Sequence, residues 1–312
     1  MKRTRLGLVL LVLGLLLVGC SSQNADPPAG TEGKLVVAVS ILPQKTFVEK
    51  VAGDLVDVVA MIPPGNNPEN YQVKPQDMMV FSKAAVYFAV GVEAEKAGLL
   101  EKAMDLNPKM VVVRQDQVVD LIHPHIDYAT SEWTFEEATE DHDESGDHAH
   151  EGRDTHIWMS PKRAKVMVEN IRDQLSVLDP DNAQTYQTNA QSYLEELDQV
   201  DEEIQEAVED LRYKTFLIYH PSMGYFAHDY GLTMVPIEAE GKEATAVRLR
   251  RIIDFAREQE VKVVFYQLEH DKNQAQTIAS ELGGEVMALA PLAPDYIENL
   301  RRIKEVFVDV LQ

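Results

Sequence analysis

The chain has 312 residues, enough for two ordinary domains with a sizeable core, and its 45% apolar content is that of a globular protein. Against 29 basic residues it carries 52 acidic ones, a formal charge of −23, which speaks against a nucleic-acid partner because the phosphates would be repelled. Such a surface attracts cations, although acidic proteins that bind none are common.

The N-terminus bears on the compartment. Lys2, Arg3 and Arg5 precede an apolar run, Leu6 to Val18, that is too short to span a bilayer. Leu17-Val18-Gly19-Cys20 follows and resembles a bacterial lipobox, in which the cysteine is diacylated and becomes the mature N-terminus. Cys20 is the only cysteine, so it has no disulfide partner in the chain and reads as a lipid attachment point. Residues 1–19 are therefore expected to be a lipoprotein signal peptide. The remainder is expected outside the cytoplasm, held to the bacterial cell membrane by lipid while its body stays in water. Residues 20–33, rich in Ser, Pro and Gly, read as a flexible tether.

Beyond the tether, short apolar runs alternate with helical patterns. Leu35–Val39 has strand length, and Ile41–Ala52 has helical spacing that stops at Gly53. Leu55–Ile62 is a second strand, followed by the turn-rich PPGNNPENYQ. Met78–Ala85 reads as helix, and Val86–Val90 and Met110–Val113 as strands. Ser160-Pro161 supplies an N-cap and first-turn proline for a helix reaching Leu178, and Asp179-Pro180 opens another. In that second helix Tyr186, Ala190, Tyr193, Leu197, Val200, Ile204, Val208 and Leu211 recur at intervals of three or four. Roughly 30 residues would span about 45 Å, more than one domain needs, so it reads as a rigid strut between two lobes. The alternation then resumes, with strands at 215–220, 234–238, 261–266 and 285–289 and helices at 224–230, 245–258, 274–282 and 295–311. The expected architecture is α/β, with two parallel-sheet lobes joined by a single long helix. Its divisions are an N-terminal lobe at 34–178, a linking helix at 179–212 and a C-terminal lobe at 213–312. Ligands of such sheets sit in loops beyond the carboxyl ends of the strands.

The residues able to carry chemistry lie in such loops. Residues 141–151 form an acidic, His-rich loop holding His142, His148 and His150, either a metal-attracting segment or a solvated insertion. It leads to Asp154-Thr155-His156, where the apolar Ile157-Trp158 anchors one histidine at the rim of the fold. His220 closes a strand in HPSMGYF, as a packed core histidine or as a ligand facing the cleft. Imidazole is the commonest neutral metal ligand, and two histidines at matching places in opposite lobes favour a metal. His123 and His125 read as loop residues, His228 and His270 as surface residues. Glu238, Glu240 and Glu243 are acids around a turn, of which Glu238 is placed to hold a ligand histidine from behind.

Taken together, the lipobox, PPGNNPENYQ, DTHIWMSP, HPSMGYF, EGKEAT and LAPLAPDYIENL resemble the solute-binding lipoproteins of zinc- and manganese-type ABC importers, the cluster A-I binding proteins. The similarity spans nearly all of residues 35–312. It implies a metal site between two α/β lobes and a stiff helical hinge, with an importer permease and its ATPase as partners. It also carries ligand positions onto this chain. The family's Asp-Pro-His-Ile-Trp histidine falls on His156, with Thr155 in place of the proline. The histidine before Pro-Ser-x-Gly-Tyr-Phe falls on His220. The family's Pro-His-x-Tyr reads Pro68-Glu69-Asn70-Tyr71, so Glu69 stands for the first histidine, as a carboxylate ligand or as a loop acid. Where many members carry Glu at a strand end this chain has Gln267, and where several carry Asp before Pro-Leu it has Ala290. The fourth position is left to Gln267, Glu269 or water.

The expected function is thus a lipid-anchored, monomeric receptor for Zn²⁺, with Mn²⁺ or Fe²⁺ as alternatives, bound through His156, His220, Glu69 and Gln267. Neutral imidazole ligands make affinity fall below about pH 6.5. A second reading is a lipoprotein of the same fold that has lost its metal and binds an organic ligand or a surface. A metalloenzyme is disfavoured, because the sequence has no HExxH and no recognisable nucleophile–base arrangement.

Overall fold

The computed structural model describes residues 33–126, 153–238, 244–270 and 272–312. The signal segment with Cys20, nearly all of the tether, the 141–151 loop with its three histidines, and Glu240 and Glu243 lie outside the described residues.

Two four-stranded sheets organise the chain. The first contains β1 (Leu35–Val39), β2 (Val56–Ala60), β3 (Val86–Ala89) and β4 (Val111–Arg114), in the order β2-β1-β3-β4. The second contains β5 (Thr215–Ile218), β6 (Thr233–Pro236), β7 (Val263–Gln267) and β8 (Glu285–Leu289), in the equivalent order β6-β5-β7-β8. Every pairing is parallel. Parallel strands are covered on both faces, which is why a central strand such as Val86-Tyr87-Phe88-Ala89 is apolar throughout and fully buried. Pairing Ile218 with Phe265 sets the ends of β5 and β7 side by side.

The helices are α1 (Leu42–Ala52), α2 (Pro75–Phe81), α3 (Leu100–Leu106), α4 (Gln115–Asp120), α5 (Pro161–Leu178), α6 (Ala183–Glu209), α7 (Gly224–Asp229), α8 (Ala246–Glu258), α9 (Asn273–Glu281) and α10 (Tyr296–Leu311). Helix α1 ends where Gly53 takes a φ of 55°, which a side chain would resist. Helix α2 starts earlier than its apolar spacing predicts, because Pro75 fits the first turn, and it ends at Phe81. Helices α3 and α4 are not foreseen by periodicity. Both are short, and Gly98, at a φ of 130°, breaks the helical run ahead of α3. The hydroxyl of Ser160 does not cap α5 but donates to Asp229 Oδ2 at 2.6 Å, an ionised acceptor that outcompetes a backbone amide.

Helix α6 has 27 residues, about 40 Å at 1.5 Å each. Its stripe of Tyr186, Ala190, Tyr193, Leu197, Val200, Ile204 and Val208 is buried. It packs on α1 and α5 from the first half and on α10 from the second. One core cluster therefore runs through both halves, with a smaller cluster on the far face of each sheet. Polar contacts tie the halves further. Trp158 Nε1 donates to the Pro291 carbonyl at 2.8 Å, and Tyr296 Oη donates to the Trp158 carbonyl at 2.5 Å. Arg163, 1% exposed, forks onto Asp229, 8% exposed, at 2.9 and 3.1 Å. Among the described residues no helix is long and apolar enough to cross a membrane.

Candidate metal centre

The two motif histidines meet between the sheets, and each is held from behind by an acid. His156 precedes a single 3-10 turn, Ile157–Met159, whose three side chains are buried and fix its backbone. The fully buried Asp154 accepts both the backbone N–H of His156 and its Nδ1, each at 2.8 Å. His220 stands two residues beyond β5, and its Nδ1 meets Glu238 Oε1 at 2.5 Å, just past β6. Whenever such a carboxylate is ionised it only accepts, so it holds the proton on Nδ1 and turns Nε2 towards the cleft. The two Nε2 atoms face each other at 3.3 Å.

Glu69 and His270 complete the cluster. Glu69 Oε1 lies 3.2 Å from His220 Nε2, on a turn fixed by Asn67 Oδ1, which accepts the Glu69 N–H at 2.9 Å. His270, three residues beyond β7, stacks on His220 with ring centres 4.5 Å apart and planes 18° from parallel. Donor atoms of Glu69, His220 and His270 all lie within 4.8 Å of one another. The expectation that His270 is a surface residue is thereby corrected. Its charged neighbours Glu269 and Asp271 suggest a solvated loop, and only the pairing of β5 with β7 brings it beside His220. Asp154 was likewise not singled out as a partner, although an acid two residues before a candidate ligand histidine was the available signal.

Burial sets the charge states. It lowers His220 to about 4, with His156 close by as the next cause, and lowers His270 to about 4, with His220 as the next cause. Both imidazoles therefore stay neutral, the metal-binding form, well below the pH of about 6.5 expected for an unperturbed histidine. Glu238 is pushed up to about 7, again by burial.

Gln267 lies beside this cluster but faces the main chain of His220. Its Nε2 donates to the His220 carbonyl at 2.5 Å and to Ser222 Oγ at 2.7 Å, while its Oε1 accepts the His220 N–H at 3.3 Å. Ala290 and Glu269 line an adjacent, mostly apolar cavity of about 240 Å³ between Pro63 and Pro294. Of the remaining histidines, exposed His228 bonds its neighbour Asp229 at 2.9 Å, and His125 lies 3.8 Å from Asp120, both away from the cluster.

Comparison with known proteins bears on this arrangement. A family model described as ZnuA, zinc-uptake complex component A, periplasmic, matches residues 37–310. The chain belongs to this family. It is similar to the zinc-binding lipoprotein AdcA of Streptococcus pneumoniae R6, 31% identical over 286 residues that make up 89% of this chain and 53% of AdcA. The chain thus spans about half the length of the AdcA proteins it matches. It is also similar to the manganese-binding lipoprotein MntA of Halalkalibacterium halodurans, 27% identical over 325 aligned positions covering 100% of this chain and 99% of MntA. Among solved structures, a crystal structure of ZnuA superposes with a TM-score of 0.78 at 34% identity, covering 89% of this chain and 100% of that one. A zinc-bound ZnuA deletion mutant superposes with a TM-score of 0.76 at 32% identity, covering 89% and 98%.

Proposed function

We propose that this chain is the extracytoplasmic receptor of a metal uptake system, capturing a divalent transition metal as its cargo and passing it to an ABC importer permease driven by an ATPase. The observation that carries this reading is the 3.3 Å approach of two imidazole Nε2 atoms whose Nδ1 positions are both taken by carboxylates. A cation between the two nitrogens would accept both lone pairs, and Glu69 adds an anionic donor at 3.2 Å. His156, His220 and Glu69 are the donors, and Gln267 acts as a positioning residue for His220. Imidazole-rich ligation makes zinc the favoured cargo, with manganese or iron as alternatives. The naming of AdcA as zinc-binding and of MntA as manganese-binding supports the same metal class.

The chain works as a monomer anchored through lipid on Cys20, and it is a receptor rather than an enzyme. Residues 34–178 and 213–312 are its two lobes and 179–212 the strut between them. A competition titration against a zinc-sensitive chelator tests the reading. Wild-type protein should win zinc from the chelator, and a His156→Ala/His220→Ala double variant should not. Equal competition by both proteins would refute the assignment.

A further inference from the structure

We propose that His270 is the fourth metal donor of this site and that it makes the site select zinc over manganese; the inference rests on the receptor reading above. Four-coordinate zinc with bonds of about 2.0–2.1 Å places its donors about 3.3 Å from one another. Two edges of that tetrahedron are already formed, His156 Nε2 to His220 Nε2 at 3.3 Å and Glu69 Oε1 to His220 Nε2 at 3.2 Å. The fourth position falls to water or to a residue beside His220, and Glu269 lines the neighbouring cavity. Gln267 has both ends of its amide on the backbone of His220 and on Ser222, and Ala290 offers no side-chain donor. His270 sits within the same 4.8 Å group as Glu69 and His220.

The surroundings of His270 hold it ready. Its backbone N–H bonds the Gln267 carbonyl at 3.0 Å, and Leu268 N–H bonds the Leu289 carbonyl at 3.1 Å, so the segment is fixed to the ends of β7 and β8. Asn67 Nδ2 lies 3.3 Å from His270 Nε2. With Asn67 Oδ1 accepting from Glu69, the amide nitrogen is the donor to the ring, and Nε2 of His270 therefore carries its lone pair. One asparagine thus positions two donors from opposite lobes, and a small rotation of the His270 ring exchanges the Asn67 N–H for the ion. The resulting set, three imidazoles and one carboxylate in four-coordinate geometry, suits Zn²⁺. It penalises Mn²⁺, which stands low in the order of affinities for nitrogen ligands and favours octahedral oxygen sites.

The test is a pair of chelator-competition titrations, with Zn²⁺ and with Mn²⁺, on wild type, His270→Ala, His270→Asp and the His156→Ala/His220→Ala double variant. Visible absorption of the Co²⁺-loaded proteins reports coordination geometry independently of affinity. Loss of a direct ligand should cost no less than loss of an outer partner, so His270→Ala should lose at least about tenfold in zinc affinity and much less in manganese affinity. His270→Asp should narrow the zinc-to-manganese ratio, and the intense tetrahedral Co²⁺ bands of wild type should weaken in His270→Ala. Should His270→Ala keep the wild-type ratio and Co²⁺ spectrum while the double variant loses metal, His270 is not a ligand although the receptor reading stands. Retention of zinc by the double variant would overturn both. His270→Gln keeps a polar side chain of similar reach, and if His270→Ala unfolds it must show the same loss of zinc preference.

Discussion

His156 and His220 present their Nε2 atoms to each other across 3.3 Å, from opposite halves of the chain, while buried carboxylates hold both Nδ1 atoms. The pair is assembled by tertiary structure alone, since 64 positions separate the two residues. Each ring is held in place by its carboxylate, so little ordering would oppose the binding of an ion proposed for this pair.

Replacing either histidine should therefore cost far more than deleting the acidic 141–151 segment. His156→Ala or His220→Ala should weaken zinc binding by orders of magnitude, whereas the deletion should change it by less than about tenfold, the smallest change expected from an outer partner. Isothermal titration of the three proteins checks this, and a deletion as damaging as either substitution would move the site into the loop.

The carboxylates behind the rings should matter almost as much as the rings. Asp154→Asn and Glu238→Gln keep shape but replace a carboxylate by a neutral amide that can donate or accept, so the proton is no longer held on Nδ1 by charge. Each should weaken metal affinity by about 10–100-fold with little change in fold content, measured by chelator competition alongside circular dichroism. Unchanged affinity in both variants would show that ring orientation is set by packing alone.

The inter-lobe pair of Arg163 and Asp229 carries a different prediction, for stability. Both are buried, and Ser160 and the Arg163 fork share the Asp229 carboxylate. Asp229→Ala leaves a buried guanidinium with its charge unpaired and only the His123 and Pro124 carbonyls as acceptors, at a cost of about 3–5 kcal/mol in chemical unfolding of the metal-free protein. A loss below about 1 kcal/mol would mean that water reaches the pair.

Glu95 predicts a pH dependence. Its buried carboxylate accepts the N–H groups of Val90 and Gly91, each at 2.8 Å, and the hydroxyl of Ser40, yet burial still pushes it up to about 7 from the ordinary 4.5. The folded state thus keeps its proton over a range in which the unfolded state has lost it. The associated stability is full below about pH 4.5 and declines as pH rises towards 7, by roughly 3 kcal/mol in all. Glu95→Gln should flatten that portion of the stability–pH curve, and an unaltered slope would assign it to another group.

How far this was legible in the sequence follows from what each feature depends on. The strands were, because buried parallel strands leave continuous apolar runs such as Val86–Ala89. Helix α5 was, because Pro161 marks its first turn and eighteen residues of periodicity follow. Helices α3 and α4 were not, being too short for the period to register. Within the site, the flanking motifs pointed to His156 and His220, and Glu69 was legible only as a substituted position. His270 was hidden because nothing local distinguishes a histidine between two acids from a surface one. Gln267 was visible as a polar strand end, but the turn of its amide towards the His220 backbone belongs to three-dimensional packing.

The most direct test of the central claim is diffraction from crystals of the zinc-loaded soluble chain, residues 21–312, recorded at the zinc absorption edge. One anomalous peak per chain is predicted, about 2.0–2.1 Å from Nε2 of both His156 and His220 and bonded to Glu69. A peak elsewhere, or none after loading with an equivalent of zinc, would contradict the account.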